Sequence, residues 1–269
     1  VPLAVCATPI GNLDDITLRV LRELAEAEVV LCEDTRHTRG LLARHGIEAR
    51  LQSYHEHNEA KRTAELLPRL ESGARIALVS DAGMPAISDP GARLVAAALE
   101  AGVPVTVLPG PSAVETALVA SGFAAERYQF VGFLPRAARA RDNLWAELAR
   151  WPHPVVAFES PQRLPASLES LAVALPERSV AVCRELTKRF EEVVRGSPRD
   201  VAARFREPTK GELTLVIGGA EEVAASLDAE VAADAVAELV AAGMKRGHAA
   251  ELVARLTGVP RNALYRESL

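Results

Sequence analysis

Residues 1–36, VPLAVCATPIGNLDDITLRVLRELAEAEVVLCEDTR, contain one complete unit of an open α/β sheet. The apolar run over 3–8 predicts a buried strand, and Thr8-Pro9-Ile10-Gly11-Asn12 after it predicts a tight loop. Ile16, Val20, Leu21 and Leu24 then recur at helical spacing, which predicts a helix over 15–27 with Asp15 and Thr17 as candidate caps. A second strand over 28–33 runs into Glu33-Asp34-Thr35-Arg36. The alternation continues outward to about residue 120, with strands at 75–80 and 103–108, a weaker one near 49–54, and helices near 38–45, 59–72, 91–101 and 112–121. In an open α/β sheet the carboxyl ends of the strands share one edge, and ligands bind in the crevice outside it. The four loops 8–12, 33–36, 80–85 and 109–113, rich in Gly, Pro, Asp and Thr, are therefore expected to converge.

After a break at 121–127 the strands cluster differently, at 128–134, 154–159, 179–184, 190–195 and 212–218. The last two are separated by a helix of only about eight residues, which predicts a mixed sheet with antiparallel pairs. The stretch 228–269 changes to an Ala-rich helix with Val236, Leu239, Val240 and Met244 on one face. Residues Gly247 to Thr257 and a short helix after Val259-Pro260 complete a helix-turn-helix-like piece. The expected division is 1–121, a first α/β domain that carries the four ligand-binding loops; 122–220, a second α/β domain with a mixed sheet; and 221–269, a helical appendage.

Composition limits the function. The 269 residues are 49% hydrophobic and 25% charged, and no apolar run approaches the ~18 residues of a membrane-spanning helix. Residues 1–7 read as a strand rather than a secretory leader, so a cytoplasmic location is expected. Cys6, Cys32 and Cys183 form no C-x-x-C pair and read as buried thiols. A net charge of −5 argues against gripping nucleic acid by bulk electrostatics. The imbalance is local: residues 1–120 carry 11 basic and 16 acidic side chains, 121–269 carry 20 of each, and 245–269 carry five cations against two anions.

No P-loop, G-x-G-x-x-G, G-x-S-x-G or H-E-x-x-H pattern occurs, which removes the common nucleotide, hydrolase and zinc readings. Loops that offer backbone groups and few cations suit an adenosine-containing sulfonium such as S-adenosylmethionine better than a triphosphate. His55-Glu56-His57 has no third ligand set at suitable spacing, so no metal is expected. The same cluster also serves to cap a helix beginning at Glu59.

Taken in order, Thr8-Pro9-Ile10-Gly11-Asn12-Leu13, Glu33-Asp34-Thr35-Arg36-His37-Thr38, His55-Glu56-His57-Asn58-Glu59, Ser80-Asp81-Ala82-Gly83, Asp89-Pro90-Gly91, Gly132-Phe133-Leu134-Pro135, Glu159-Ser160-Pro161 and Arg184-Glu185-Leu186-Thr187-Lys188 resemble the bacterial ribosomal RNA small-subunit methyltransferase I family. Asn262-Ala263-Leu264-Tyr265 resembles its C-terminal helical piece. The resemblance implies a tetrapyrrole-methylase-like fold, two α/β domains with the cofactor cleft between them plus a small helical appendage. It also implies a homodimer that uses S-adenosylmethionine to methylate the ribose 2′-oxygen of a decoding-centre cytidine in 16S rRNA, on the naked RNA or the small ribosomal subunit. Two positions depart from the pattern. Met84 stands where the family has Thr, and Arg136, Arg139 and Arg141 follow Leu134-Pro135 where the family supplies Lys.

Carried over position by position, the donor residues are Pro9, Asn12, Asp81, Gly83, Met84, Pro85, Ile87, Ser112 and Ala113, with Phe158, Glu212 and Leu213 from the second domain. The reaction needs a group to remove the hydroxyl proton, and Glu33, Asp34 and Glu56 are the leading candidates beside His55, His57 and Glu59. Arg36 either holds an RNA phosphate by a bidentate fork or pairs with a carboxylate and fixes its loop. Arg136, Arg139, Lys188, Lys245 and Arg246 are further expected RNA contacts; for Lys188 and its basic neighbours a solvated face is the alternative. Two other functions remain open: a methylase of a small tetrapyrrole or corrinoid precursor, and a non-catalytic RNA-binding assembly factor.

Overall fold

A computed structural model of the chain describes residues 1–220 and 229–267. The start of the expected appendage at 221 and the first and last residues of the expected helical stretch, 228 and 269, lie outside the described residues.

The first half runs β1 (Leu3–Cys6), α1 (Leu18–Glu26), β2 (Val29–Cys32), α2 (Thr35–Arg44), β3 (Leu51–Ser53), α3 (Glu59–Glu71), β4 (Ile76–Val79), α4 (Ala92–Glu100), β5 (Val105–Leu108) and α5 (Ala113–Ser121). Its strands form one sheet in the order β3-β2-β4-β1-β5, and every pair is parallel. Side chains alternate between two faces and both are covered, which is why these strands read as unbroken apolar runs. Leu3, Val5, Val29, Leu31, Ile76 and Leu78 pack with Leu66, Leu70 and Leu94 of α3 and α4. Ala4, Cys6, Val30, Cys32, Ala77 and Val79 pack with Val20, Leu24 and Leu42 of α1 and α2. Burying a Val or Leu side chain fully contributes about 1.5–3 kcal/mol, so the stripe on α1 alone anchors that helix.

Two helix starts differ from the sequence expectation, each for a local reason. α1 begins at Leu18 rather than 15 because Asn12 holds the preceding turn: its Oδ1 accepts from the Asp14 N–H and its carbonyl from the Asp15 N–H. Thr17 caps the helix by accepting from the Val20 N–H at 3.2 Å. α2 begins at Thr35 rather than 38 because Asp34 is its N-cap, accepting from the Arg36 N–H at 2.8 Å.

The second half runs β6 (Gln129–Phe133), α6 (Ala138–Leu148), β7 (Val155–Glu159), α7 (Leu164–Ala174), β8 (Val180–Arg184), β9 (Glu192–Gly196), α8 (Pro198–Arg204) and β10 (Leu213–Ile217). The sheet order is β6-β7-β10-β8-β9, with β6 parallel to β7 and the remaining pairs antiparallel. The strands flanking α8 are not neighbours, because β8 lies between them. β6 changes register between Phe130 and Phe133, and Gly132 takes the left-handed conformation that this bulge requires.

α5, counted with the first domain by chain position, lays its apolar stripe on the second sheet. Val114, Ala117 and Leu118 pack with Val156, Ala181, Cys183 and Val216. Among the described residues the first sheet has no strand after β5 for α5 to cross over to, so its stripe is free to bury elsewhere. Both sheets accordingly belong to one compact unit, residues 1–149 with 153–218. Residues 150–152 with 219–269 form the second unit. It contains α9 (Ala229–Ala241), α10 (Arg246–Thr257) and α11 (Arg261–Glu267), built around its own core of Ala232, Val236, Ala249, Ala250, Val253, Val259 and Leu264. Among the described residues no helix is long and apolar enough to cross a membrane.

Candidate active site

The four loops meet at the carboxyl edge of the parallel sheet. Thr8 and Gly83 exchange backbone hydrogen bonds at 2.9 and 3.1 Å, and Thr8 Oγ1 donates to the Ser80 carbonyl at 3.0 Å. Asp81 Oδ1 accepts from the Asp34 N–H at 3.1 Å, tying the loops after β2 and β4. Gly110 lies so close to Ala7 that a Cβ there would stand 2.8 Å from the alanine methyl.

The first of these loops also docks on the second sheet. The Asn12 N–H donates to Thr187 Oγ1 at 2.9 Å, and a Cβ on Gly11 would stand 2.5 Å from Lys188 Cγ and 2.8 Å from the Leu186 carbonyl. Only glycine permits that approach. The segment it meets is held from below: Glu185 Oε1 accepts from the Glu212 N–H and from Lys188 Nζ, both at 2.9 Å. Lys188 Nζ also reaches Glu212, again at 2.9 Å.

Between the two sheets lies a cleft of about 450 Å³. Ile10, Glu33, Asp81, Ser88, Asp89 and Ala113 line it from the first sheet, and Phe133, Phe158, Leu186, Glu212, Leu213 and Thr214 from the second. Phe158 stands edge-on to both Phe130 and Phe133, giving the cleft an aromatic wall. Beside it Glu159 is buried and accepts from the Ser160 N–H at 2.7 Å and from Ser167 Oγ at 2.6 Å while pairing with Arg163. Arg163 in turn donates to the Leu134 carbonyl at 2.9 Å. This network fastens the segments 132–135 and 159–161 to each other.

The first-sheet wall of the cleft is acidic: among the described residues no cation pairs with Glu33, Asp81 or Asp89, whereas Glu159 and Glu212 opposite pair with Arg163 and Lys188. Burial first, then the charges of Glu33 and Asp81, push the Asp89 carboxyl up to about 7. Burial and Asp81 raise Glu33 as well, with His55 opposing. Asp34 behaves oppositely: hydrogen bonds from the Arg36 side chain and backbone hold it at about 2. For Lys188, desolvation acts against the ammonium, but its bonds to Glu212 and Glu185 outweigh it and raise its pKa.

The structure distributes the expected site residues as follows. Asp81, Ala113, Phe158, Glu212 and Leu213 line the cleft, as does Glu33. Gly83 is buried in the loop junction, Pro9 and Pro85 are buried, and Met84 packs into the core behind the sheet. Asn12 makes the docking contact with Thr187 through its backbone N–H, Ile87 is exposed, and Ser112 stands at the N-cap position of α5 but makes no side-chain cap bond, its hydroxyl donating to Glu115 instead. Arg36 is 86% exposed on its side chain and forks onto Asp34 with bonds of 2.8 and 3.2 Å. Glu56, Arg136, Arg139 and Lys245 are exposed, and Arg246 opens α10. Asn58 is the N-cap position of α3 but makes no side-chain cap bond; its amide holds His55 and Ser53 instead. Among the described residues no His, Cys, Asp and Glu group is arranged to hold a metal ion. All three cysteines are buried thiols, and burial pushes Cys6 up to about 12. The sequence reading did not assign Asp89, Ser88, Phe133 or Thr214 to the cleft. Asp89-Pro90-Gly91 was a visible signal, since a Pro-Gly turn before a helix marks a loop end.

Two parallel and mixed α/β layers with a ligand-sized cleft at their junction define a tetrapyrrole methylase fold, and residues 2–202 match the family model described as Tetrapyrrole (Corrin/Porphyrin) Methylases. Solved structures of that fold are similar. Uroporphyrin-III-C-methyltransferase from Thermus thermophilus superposes with a TM-score of 0.56 at 24% identity, covering 80% of this chain and 93% of that one. The methyltransferase CobJ gives 0.62 at 20%, covering 81% and 94%. Another Thermus thermophilus structure, solved in complex with S-adenyl homocysteine, gives 0.55 at 20%, covering 80% and 96%. Residues 225–269 match a second model, the RsmI C-terminal HTH domain. Curated relatives named ribosomal RNA small subunit methyltransferase I are 45% identical in Micromonospora olivasterospora, over 97% of this chain and 84% of the relative, and 45% identical in Synechocystis sp., over 99% and 97%. This chain belongs to the ribosomal RNA small subunit methyltransferase I family and is an S-adenosylmethionine-dependent methyltransferase.

The cleft fits that donor. Its volume lies within the ~300–1,000 Å³ usual for small-molecule sites, its walls are largely apolar, and its unpaired carboxylates suit a cationic sulfonium. Bound there, the donor supplies an already activated methyl group.

Proposed function

We propose that the protein methylates the 2′-oxygen of a cytidine ribose in the decoding centre of 16S rRNA. The observation that carries this reading is identity of 40–46% with relatives of that name along nearly the whole chain, against 16–24% with the solved small-molecule and other methylases, which cover about four-fifths of it. In this reading Asp81, Ala113, Phe158, Leu213 and the backbone of the 80–85 loop hold the donor. The carboxylate side of the cleft receives the ribose, and the exposed arginines Arg36, Arg136 and Arg139 meet RNA phosphates. The protein works in the cytoplasm, as a homodimer, on the RNA or the small subunit. The test is to incubate the protein and labelled donor with purified small subunits from cells lacking the gene and, in a parallel reaction, with a tetrapyrrole precursor, then map ribose methylation. Label in a single decoding-centre cytidine supports the reading, and label only in a tetrapyrrole precursor replaces it with the small-molecule alternative.

Arg36 provides a narrower check. Its guanidinium is exposed beyond the Asp34 fork, so Arg36→Ala is expected to slow transfer about 10–100-fold while the donor dissociation constant stays within about threefold. Loss of donor affinity in calorimetry, or of folding, assigns it to fixing α2 instead.

The second unit is expected to strengthen substrate binding without taking part in the chemistry. Its core is made of its own residues, and 245–269 is the basic end of an acidic chain. A curated relative from Thermotoga maritima aligns over 99% of its own length yet covers 81% of this chain. A fifth of this chain therefore has no counterpart there. Truncation after Gly218 is expected to leave donor binding intact, raise the KM for small subunits about 10-fold, and flatten its dependence on salt. An unchanged KM and salt slope removes the unit from substrate binding.

A further inference from the structure

We propose that Asp89 takes the proton from the ribose hydroxyl during methyl transfer, an inference that rests on the ribose-methylation reading above. The argument is one of which carboxylates are free. Asp34 is held by Arg36 and caps α2, Glu59 pairs with Arg93, and Glu56 is exposed to solvent. Across the cleft Glu159 is committed to Arg163 and Ser167, and Glu212 to Lys188. Cys183 stays a neutral thiol, since burial raises it to about 11. Of the three acids on the first-sheet wall, Asp81 already accepts the Asp34 N–H. Glu33 and Asp89 remain, and neither carboxylate has a hydrogen bond or ion pair with any described residue.

Asp89 is the better proton acceptor of the two. A general base works best when its proton affinity lies near the working pH, and burial with the neighbouring Glu33 and Asp81 charges brings Asp89 to about 7. Glu33 is raised too, by burial first and then by Asp81, but His55 opposes that rise, whereas every influence on Asp89 acts upward. The step balances in atoms and charge. The ribose oxygen bonds to the methyl carbon as the carbon–sulfur bond breaks with its electron pair staying on sulfur, and the hydroxyl proton passes to the Asp89 carboxylate. One positive and one negative charge disappear together, so the step itself leaves no new charge in the cleft.

The experiment measures single-turnover transfer to small subunits, donor affinity by calorimetry, and melting temperature against pH. In the wild type, transfer is expected to rise with pH through about 7, where Asp89 loses its proton. Asp89→Asn is expected to slow transfer by at least ~100-fold with donor affinity changed less than about threefold, and Asp89→Glu to recover part of the rate. Glu33→Gln removes a charge that raises Asp89, so the acid limb is expected to move to lower pH. Folding independently reports the same titration. The raised carboxyl destabilises the fold as pH climbs through 7, so the melting temperature of Asp89→Asn should exceed that of wild type more at pH 8 than at pH 5. An unchanged rate in Asp89→Asn, or a limb unmoved by Glu33→Gln, overturns the assignment. A wild-type protein that labels no ribose overturns the methylation reading itself, whatever the variants do.

Discussion

Glu159→Ala is expected to lower the melting temperature by roughly 6–15 °C, the consequence of losing about 3–4 kcal/mol in a domain of this size. The Glu159 side chain is fully buried and satisfies three groups at once, the Ser160 N–H, Ser167 Oγ and the Arg163 guanidinium. Removing it leaves the Ser167 hydroxyl buried without its acceptor and a guanidinium, about a quarter exposed, without its partner. Deleting one member of a buried pair costs more than the pair itself contributes, because the desolvation already incurred by the other is no longer offset. The lower half of the usual range applies because Arg163 retains some water and its bond to the Leu134 carbonyl. Calorimetric melting of the two proteins checks this, and a loss under about 1 kcal/mol shows that the network is dispensable. Donor affinity should fall as well, since the same side chains hold the segments carrying Phe133 and Ser160 at the cleft.

Gly11→Val is expected to abolish donor binding, with affinity reduced more than ~100-fold, and to destabilise the protein by about 3 kcal/mol. The Cβ alone would overlap Lys188 Cγ, Thr187 Oγ1 and the Leu186 carbonyl, and the last of these is backbone that cannot turn aside. The loop after β1 must then lift from the second sheet, breaking the bond from Asn12 to Thr187 and opening the cleft at Ile10 and Leu186. Calorimetric titration and melting together test it. A stable variant that still binds donor shows that this contact does not set the width of the cleft.

Much of the architecture is legible in the chain because it depends on short-range pattern. Unbroken runs such as Leu3–Cys6 and Val29–Cys32 specify strands buried on both faces, and the Gly- and Pro-rich ends specify loops. Parallel strands put those loops on one edge, so their convergence followed from topology without coordinates. The helix starts at Leu18 and Thr35 were missed because they are set by single hydrogen bonds from Asn12 and Asp34, which periodicity does not record.

The amino-acid sequence by itself determined the fold class, the order of the strands along the chain, the family and the four loops that build the site, while the helices α6 and α7 came only with the structure. Tertiary structure alone decided which charged side chains remain available for chemistry. Lys188 and Arg36 look alike in sequence, yet Lys188 is held between Glu185 and Glu212 while Arg36 stays exposed beyond its fork on Asp34. Asp89 and Asp34 are both aspartates at strand-end loops, but burial beside Glu33 raises one to about 7 and an arginine holds the other at about 2. The physical reason is that proton affinity depends on burial and on charges brought close from distant parts of the chain, and a linear pattern contains neither.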